Sequence, residues 1–227
     1  MKTPQLRHIL PLMATLMTAS ALAAPTTIDL STEVSRPAAN DLARATVFAE
    51  AAGNTPAELA KRVNSLIAEG LKTTRGYASV KTQSSGTHTY PMYAKGGRIE
   101  SWRMRSDLTL ETGDTAVLSE LLGKLQTSLG VGNMVMLPAP ETRNRAENAA
   151  MLDAIAAFKA RAKLLADALG KPYRIKQLSV SNSGHPAQGI PMLRSAGMFA
   201  AEAAPMPMEA GESQVSASVS GQIELVD

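Results

Sequence analysis

The sequence predicts an α+β fold: largely antiparallel sheets with helices packed on one face. Three observations carry that prediction. Residues 27–35, 98–111 and 215–225 alternate apolar and polar side chains, the period of a half-buried strand. Residues 55–74, 114–129 and 144–170 instead repeat apolar side chains at three- and four-residue steps, the period of an amphipathic helix. Neighbouring strands follow one another directly more often than they alternate with helices, which favours hairpins over parallel crossovers.

The first 23 residues read as a signal peptide outside the fold. Lys2 and Arg7 make a basic start, an apolar run follows, and Ala21-Leu22-Ala23 is a small-x-small cleavage signal. The run is too short for a transmembrane helix and contains Pro11. Removing Lys2 and Arg7 lowers the net charge from +3 to +1. That balance argues against a nucleic-acid binder. The chain has no cysteine, so it carries neither a disulfide nor a lipidated cysteine. Residues 24–227 remain as one α+β domain or two small intimate ones.

Strand one spans 27–35, with Ile28, Leu30, Thr32 and Val34 inward, and Arg36-Pro37 ends it. Residues 42–51 fit a helix by their alanines and a strand by their alternation. Residues 55–74 form a helix with a Thr55-Glu58 capping box, Pro56 at its first position and Leu59, Val63, Leu66, Ile67, Gly70 and Leu71 buried. Residues 77–93 and 98–111 form a long hairpin around Lys95-Gly96-Gly97. Its second arm buries Trp102, Met104, Leu108 and Leu110. Its first arm is polar on both faces from Thr82 to Thr89, as a strand not buried in its own domain would be. Asp114 caps a helix with Val117, Leu118, Leu121, Leu122, Leu125 and Leu129 on one face, closed by Gly130. Residues 134–137 are a short strand. The longest helix runs over 144–170, about 40 Å at 1.5 Å per residue. Asn144 and Glu147 box its start, Met151, Ile155, Phe158, Ala162, Leu165 and Leu169 form its face, and Gly170-Lys171-Pro172 stops it. A weaker strand follows over 174–182 with Leu178 and Val180 inward. Residues 183–212 are a Pro-, Gly-, Ala- and Met-rich insert, too long for an ordinary connection. The final strand has Val215, Ala217, Val219, Gly221, Ile223 and Leu225 inward.

Four stretches together resemble the SIMPL-domain family, which includes bacterial periplasmic immunogenic proteins and oxidative-stress defence proteins. They are Val80-Lys81-Thr82 with Tyr90-Pro91-Met92-Tyr93; Ile99-Glu100-Ser101-Trp102-Arg103-Met104 with Leu108 and Leu110; the helix end from Ala160 to Gly170; and Pro207-Met208-Glu209-Ala210-Gly211-Glu212 before Val215-Ser216-Ala217-Ser218-Val219. The match departs from the family at Phe158, where a small residue is usual, and at Arg36-Pro37-Ala38. The resemblance implies a strand over 42–51 and hence the order ββαββαβαββ. It also implies an exported, self-associating protein of the periplasm, or associated with the outer membrane, linked to envelope or oxidative-stress tolerance.

No catalytic constellation stands out: no nucleophile elbow, phosphate loop or cofactor motif occurs, so an enzyme is not expected. Of the histidines past the signal peptide, His88 and His185 each stand alone, which disfavours a metal site. Gly130-Val131-Gly132 lacks the third glycine of a dinucleotide turn. Met192, Met198, Met206 and Met208 suggest a copper-binding or small-ligand module as the alternative function, against ordinary thioether packing. Arg98, Arg103 and Arg105 suggest either an anion patch or pairing with Asp107, Glu100 and Glu111. The expected function is therefore a non-enzymatic homo-oligomer without nucleic-acid partners, membrane span or cofactor. Exported protein should begin at Ala24; N-terminal analysis that finds Met1 retained in the exported fraction overturns the export reading.

Overall fold

A computed structural model describes residues 25–182 and 210–226. The elements run β1 (Thr27–Ala39), β2 (Leu42–Gly53), α1 (Pro56–Thr74), β3 (Lys81–Tyr93), β4 (Ile99–Thr112), α2 (Thr115–Leu125), β5 (Gly130–Leu137), α3 (Pro140–Ala168), β6 (Tyr173–Asn182) and β7 (Glu212–Leu225). They build two antiparallel sheets, β1-β7-β6 and β3-β4-β2-β5. The α+β class is as expected, and the ambiguous second segment is the strand β2.

Inward alternation in β1 and β7 makes one face of the three-stranded sheet apolar, and α3 covers it. The contact line on α3 is Ala146, Ala150, Ala154, Phe158, Ala162 and Ala166, a four-residue step of mostly minimal side chains. Leu165 is only half-buried and Leu169 is 55% exposed, so the face is rotated from the one expected. Alanine lets the helix axis approach the sheet, and bulkier residues are pushed to its flanks. Phe158 is fully buried and sits over Gly221 of β7. A Cβ at Gly221 would lie 2.3 Å from the Gln177 carbonyl oxygen and 3.1 Å from Phe158 Cζ. Thr32 Oγ1 donates to the Ala154 carbonyl at 3.0 Å, and Arg161 to the Ser31 carbonyl at 2.8 Å. Arg36 pairs with Asp153.

Other boundaries also differ from expectation. β1 continues through Pro37 because an edge strand tolerates a missing donor. Ile175, Leu178 and Val180 of β6 are each 39% exposed, although the latter two were expected inward. They share the helix side of the sheet with Ile223, Gly221 and Val219, but α3 lies mainly over β1 and β7. β3 begins at Lys81, after a turn that closes with Val80 N–H donating to the Tyr77 carbonyl.

The four-stranded sheet carries α1 and α2 on one face. Val47, Val63, Leu108, Leu110, Leu118, Leu121 and Leu125 fill that core. Thr55 is extended at the start of α1 but makes no side-chain cap, so Pro56 alone marks the start as expected. Asp114 does cap α2, accepting from the Ala116 and Val117 N–H groups at 2.9 and 3.1 Å. α2 ends at Leu125, and Gly130 opens a strand instead of closing the helix. Leu129 still reaches the core, meeting Gly70 of α1 where a Cβ would lie 2.7 Å away.

The segment from β2 to β5 is inserted between β1 and α3, so the chain crosses between the two halves at 40–41 and at 138–139. Asp41 ties these crossings together. Its Oδ1 accepts from the Ala139 N–H at 2.6 Å and its Oδ2 from Thr142 Oγ1 at 2.5 Å. Asp41 thereby tethers the start of α3 from a distant part of the sequence, and Pro140 at the first helical position marks that start, four residues before Asn144. The Ala139 N–H, then the Thr142 hydroxyl, hold the Asp41 carboxyl below its ordinary range. On the other side, Asn40 Nδ2 donates to the Ala210 carbonyl at 2.8 Å and Ser213 Oγ donates to Asn40 Oδ1 at 2.7 Å.

Gly221→Ala should cost about 1–3 kcal/mol as overpacking, and Phe158→Ala about 3–5 kcal/mol as a core cavity. Leu165→Ala should cost less than Phe158→Ala; urea denaturation that reverses that order refutes the face assignment. Asp41→Asn should lower stability at neutral pH by about 0.5–1.5 kcal/mol as weakened hydrogen bonding. Because folding depresses the Asp41 pKa, its contribution is complete above the ordinary value of 3.8 and is lost as pH falls through the lower folded value. The gap between wild type and variant should therefore close as acid unfolding is approached from neutral pH. A gap that widens in acid contradicts the clasp.

Candidate interaction surface

With α1 and α2 on one side, the other face of the four-stranded sheet is open. Alternation dictates its residues: Arg44, Thr46, Phe48 and Glu50 from β2, and Arg103, Arg105, Asp107, Thr109 and Glu111 from β4. His88 and Tyr90 of β3 stand opposite Arg105 and Arg103. Its guanidinium groups are compensated. Arg44 meets Glu111 at 2.7 Å, Arg105 meets Asp107 at 2.7 Å, and Arg103 meets Glu50 at 3.6 Å. Pairing rather than an anion patch is thus the state of Arg103 and Arg105, although Arg103 takes its partner from β2. Hydrogen bonding to Asp107 holds the Arg105 pKa above its ordinary value.

Arg105 also stacks on Phe48, 3.8 Å from the ring centroid. Phe48 in turn lies over Gly130 of β5, where a Cβ would come within 2.5 Å of the ring. This explains a glycine at the start of a strand: it is the floor beneath an aromatic ring. Such a cation–aromatic stack contributes about 0.5–1 kcal/mol at an exposed site. Exposed ion pairs contribute about 0–1 kcal/mol each. The face is a charge-balanced surface.

The edge of this sheet is different. β3 pairs with β4 from Lys81 opposite Glu111 to Tyr93 opposite Ile99, and its other side has no partner among the described residues. A bulge near Ser84–Gly86 interrupts the register, with Gly86 at φ +152°. Thr87 and Ser106 share a cross-strand hydrogen bond of 2.9 Å, and Ser85 contacts Thr109. Ser84, Ser85, Thr87, His88 and Thr89 are exposed. The Thr82 hydroxyl is buried and has no hydrogen-bond partner. The polar arm is thus an edge strand: one side serves its own sheet and the other is open.

His88 is exposed on this edge, and among the described residues no three His, Asp, Glu or Cys side chains converge. His185, Met192, Met198, Met206 and Met208 lie outside the described residues, as do residues 1–24. A shallow trough on the open face of the three-stranded sheet is lined by Asp29, Ser31, Gln177, Ser179, Ser220 and Gln222. No described helix is long and apolar enough to cross a membrane. The Asp41 clasp and the Phe48–Arg105 stack were missed from sequence, because each joins residues far apart in the chain.

A family model described as "SIMPL: Protein of unknown function (DUF541)" matches residues 28–223. No curated protein matches the chain. Among solved structures, a Burkholderia cenocepacia protein described as a candidate amidohydrolase/peptidase aligns at 15% identity and a TM-score of 0.25. That alignment covers 62% of this chain and 34% of the other, so the chain spans about a third of its length. A likeness that slight carries no argument about fold or activity.

Proposed function

The chain belongs to the SIMPL family, whose function is unknown, and from that premise we propose that it is an exported, non-enzymatic subunit that self-assembles through the open edge of β3. The supporting observation is the edge itself. From Thr82 to Met92 the strand has no lysine, arginine, aspartate or glutamate, the side chains that usually discourage pairing between edges. Its exposed hydroxyls suit a wet contact, in which a neighbour's strand would satisfy the unpaired backbone donors and acceptors. The Ser84–Gly86 bulge confines regular pairing to the segments on either side of it. A contact of this kind made head to tail closes into a ring when the rotation permits. The signal-peptide pattern of the first 23 residues supports export, and placement in the periplasm or at the outer membrane rests on that pattern together with the family resemblance. A role in envelope or oxidative-stress tolerance rests on the family resemblance.

Light scattering behind a sizing column tests the assembly. Wild type should elute as an oligomer, and Ser84→Lys with Thr89→Lys should shift it toward the monomer while leaving the melting temperature nearly unchanged. Both positions are exposed, so the added charge acts on the edge and not on the core. A wild type monomeric over a wide concentration range refutes self-assembly. An oligomer indifferent to both lysines refutes β3 as its contact.

A further inference from the structure

The tip of the β3–β4 hairpin is built unlike the edge behind it. β2 accompanies β4 only as far as Gly53 opposite Trp102, whereas β3 and β4 continue pairing to Tyr93 and Ile99. Three further residues of β4, at about 3.3 Å each, carry the tip about 10 Å past the last β2 pair. The turn closes with Ala94 N–H donating to the Arg98 carbonyl at 2.9 Å and Gly97 N–H donating to the Ala94 carbonyl at 3.1 Å. Gly96 and Gly97 take φ of +109° and +80°, conformations that exclude most side chains at the apex.

What flanks that apex is apolar and cationic. Tyr93 is 62% exposed and its cross-strand partner Ile99 is 50% exposed, with Tyr90 at 40% behind them. Lys95 and Arg98 bracket the two glycines, and neither makes an ion pair among the described residues. The acidic group nearest in sequence, Glu100, lies two residues behind Arg98. This contrasts with the open sheet face, where every arginine described above has a carboxylate partner.

We propose that the tip is a membrane-interface anchor, in which Tyr93 and Ile99 enter the headgroup region of an anionic phospholipid bilayer while Lys95 and Arg98 meet lipid phosphates. Tyrosine suits that depth because its ring is apolar and its hydroxyl is polar. Two cations without an ion-pair partner among the described residues, beside an apolar pair, match the charge and layering of an anionic surface. A single turn offers far less than the roughly 800 Å² per partner of a stable protein interface. That argues for a lipid surface over a second copy as the occupant. The anchor is weak and reversible, and it is separate from the assembly edge farther along β3.

Vesicle co-sedimentation of the mature chain tests this. Wild type should pellet with phosphatidylcholine–phosphatidylglycerol vesicles but not with phosphatidylcholine alone. Binding should weaken as salt rises. Tyr93→Ser with Ile99→Ser, and separately Lys95→Glu with Arg98→Glu, should each reduce the vesicle partition constant by about tenfold, equivalent to about 1.4 kcal/mol. Both variants should keep the wild-type melting temperature and scattering mass. Folded wild type that ignores anionic vesicles overturns the proposal, as do variants that bind as wild type does. A Tyr93→Ser, Ile99→Ser variant that loses oligomer mass without any vesicle binding in wild type assigns the tip to a second copy instead. Since scattering mass and vesicle binding are read separately, failure of the assembly reading is distinguishable from failure of the anchor.

Discussion

The close approach of α3 to its sheet is the constraint on which the rest of this structure depends. A three-stranded sheet has little area to bury, so the helix must sit near it to exclude water. Nearness demands small residues on both partners. The helix supplies the alanine line from Ala146 to Ala166, and the sheet supplies Gly221 beneath Phe158. One large ring on one missing side chain fixes both the height and the register of the helix. The neighbouring bulge at Ile175–Gln177 brings the Gln177 carbonyl close to the same glycine, so β6 is shaped around this contact as well.

The same device recurs elsewhere with different partners. Leu129 occupies the space left by Gly70, and Phe48 occupies the space left by Gly130. The first joins a connecting turn to a helix within the core. The second works on an open face, where the ring is covered by Arg105 instead of by a helix. Between the two halves, polar contacts take over. Asp41 and Asn40 bind the crossings by hydrogen bonds, with the small cluster of Ala38, Ala146 and Val215 beside them. The joint is therefore sensitive to charge where the cores are sensitive to volume.

These contrasts explain what could be read in advance. Elements written by local period were legible: β7 shows strict alternation, and α2 carries both its apolar face and its own cap, Asp114. Phe158 lies in the core as its period predicts, but the buried face around it is the alanine line and not the large side chains. On α3, tight approach makes alanine the buried residue and leaves Leu169 outside. α3 starts at Pro140, a proline at the first helical position, and not at the Asn144–Glu147 spacing; the Asp41 carboxylate that tethers this start stands about a hundred positions away. Periodicity cannot register such a partner. Gly130 likewise looked like a helix stop, since nothing local reveals that Phe48 will lie over it. The interaction surface was partly legible, through the polar run from Thr82 to Thr89, whereas the partner of Arg103 was not.

The hairpin follows from the way the four-stranded sheet is bounded. β2 must turn at Gly53 to begin α1, so it stops accompanying β4 at Trp102. From that point β3 and β4 have only each other, and side chains that would face neighbours within a sheet face solvent. An isolated two-stranded ribbon is marginally stable in water. This one is held at its base by Trp102 against the core and by the long β3–β4 ladder behind it. The body thus provides the rigidity, and the ribbon can expose Tyr93 and Ile99 without contributing to the core. Apolar exposure at that position costs folding little, because the residues have no interior to reach. It is the arrangement expected of a surface that meets another phase, and it leaves the charge-balanced face and the neutral edge of β3 to act independently of it.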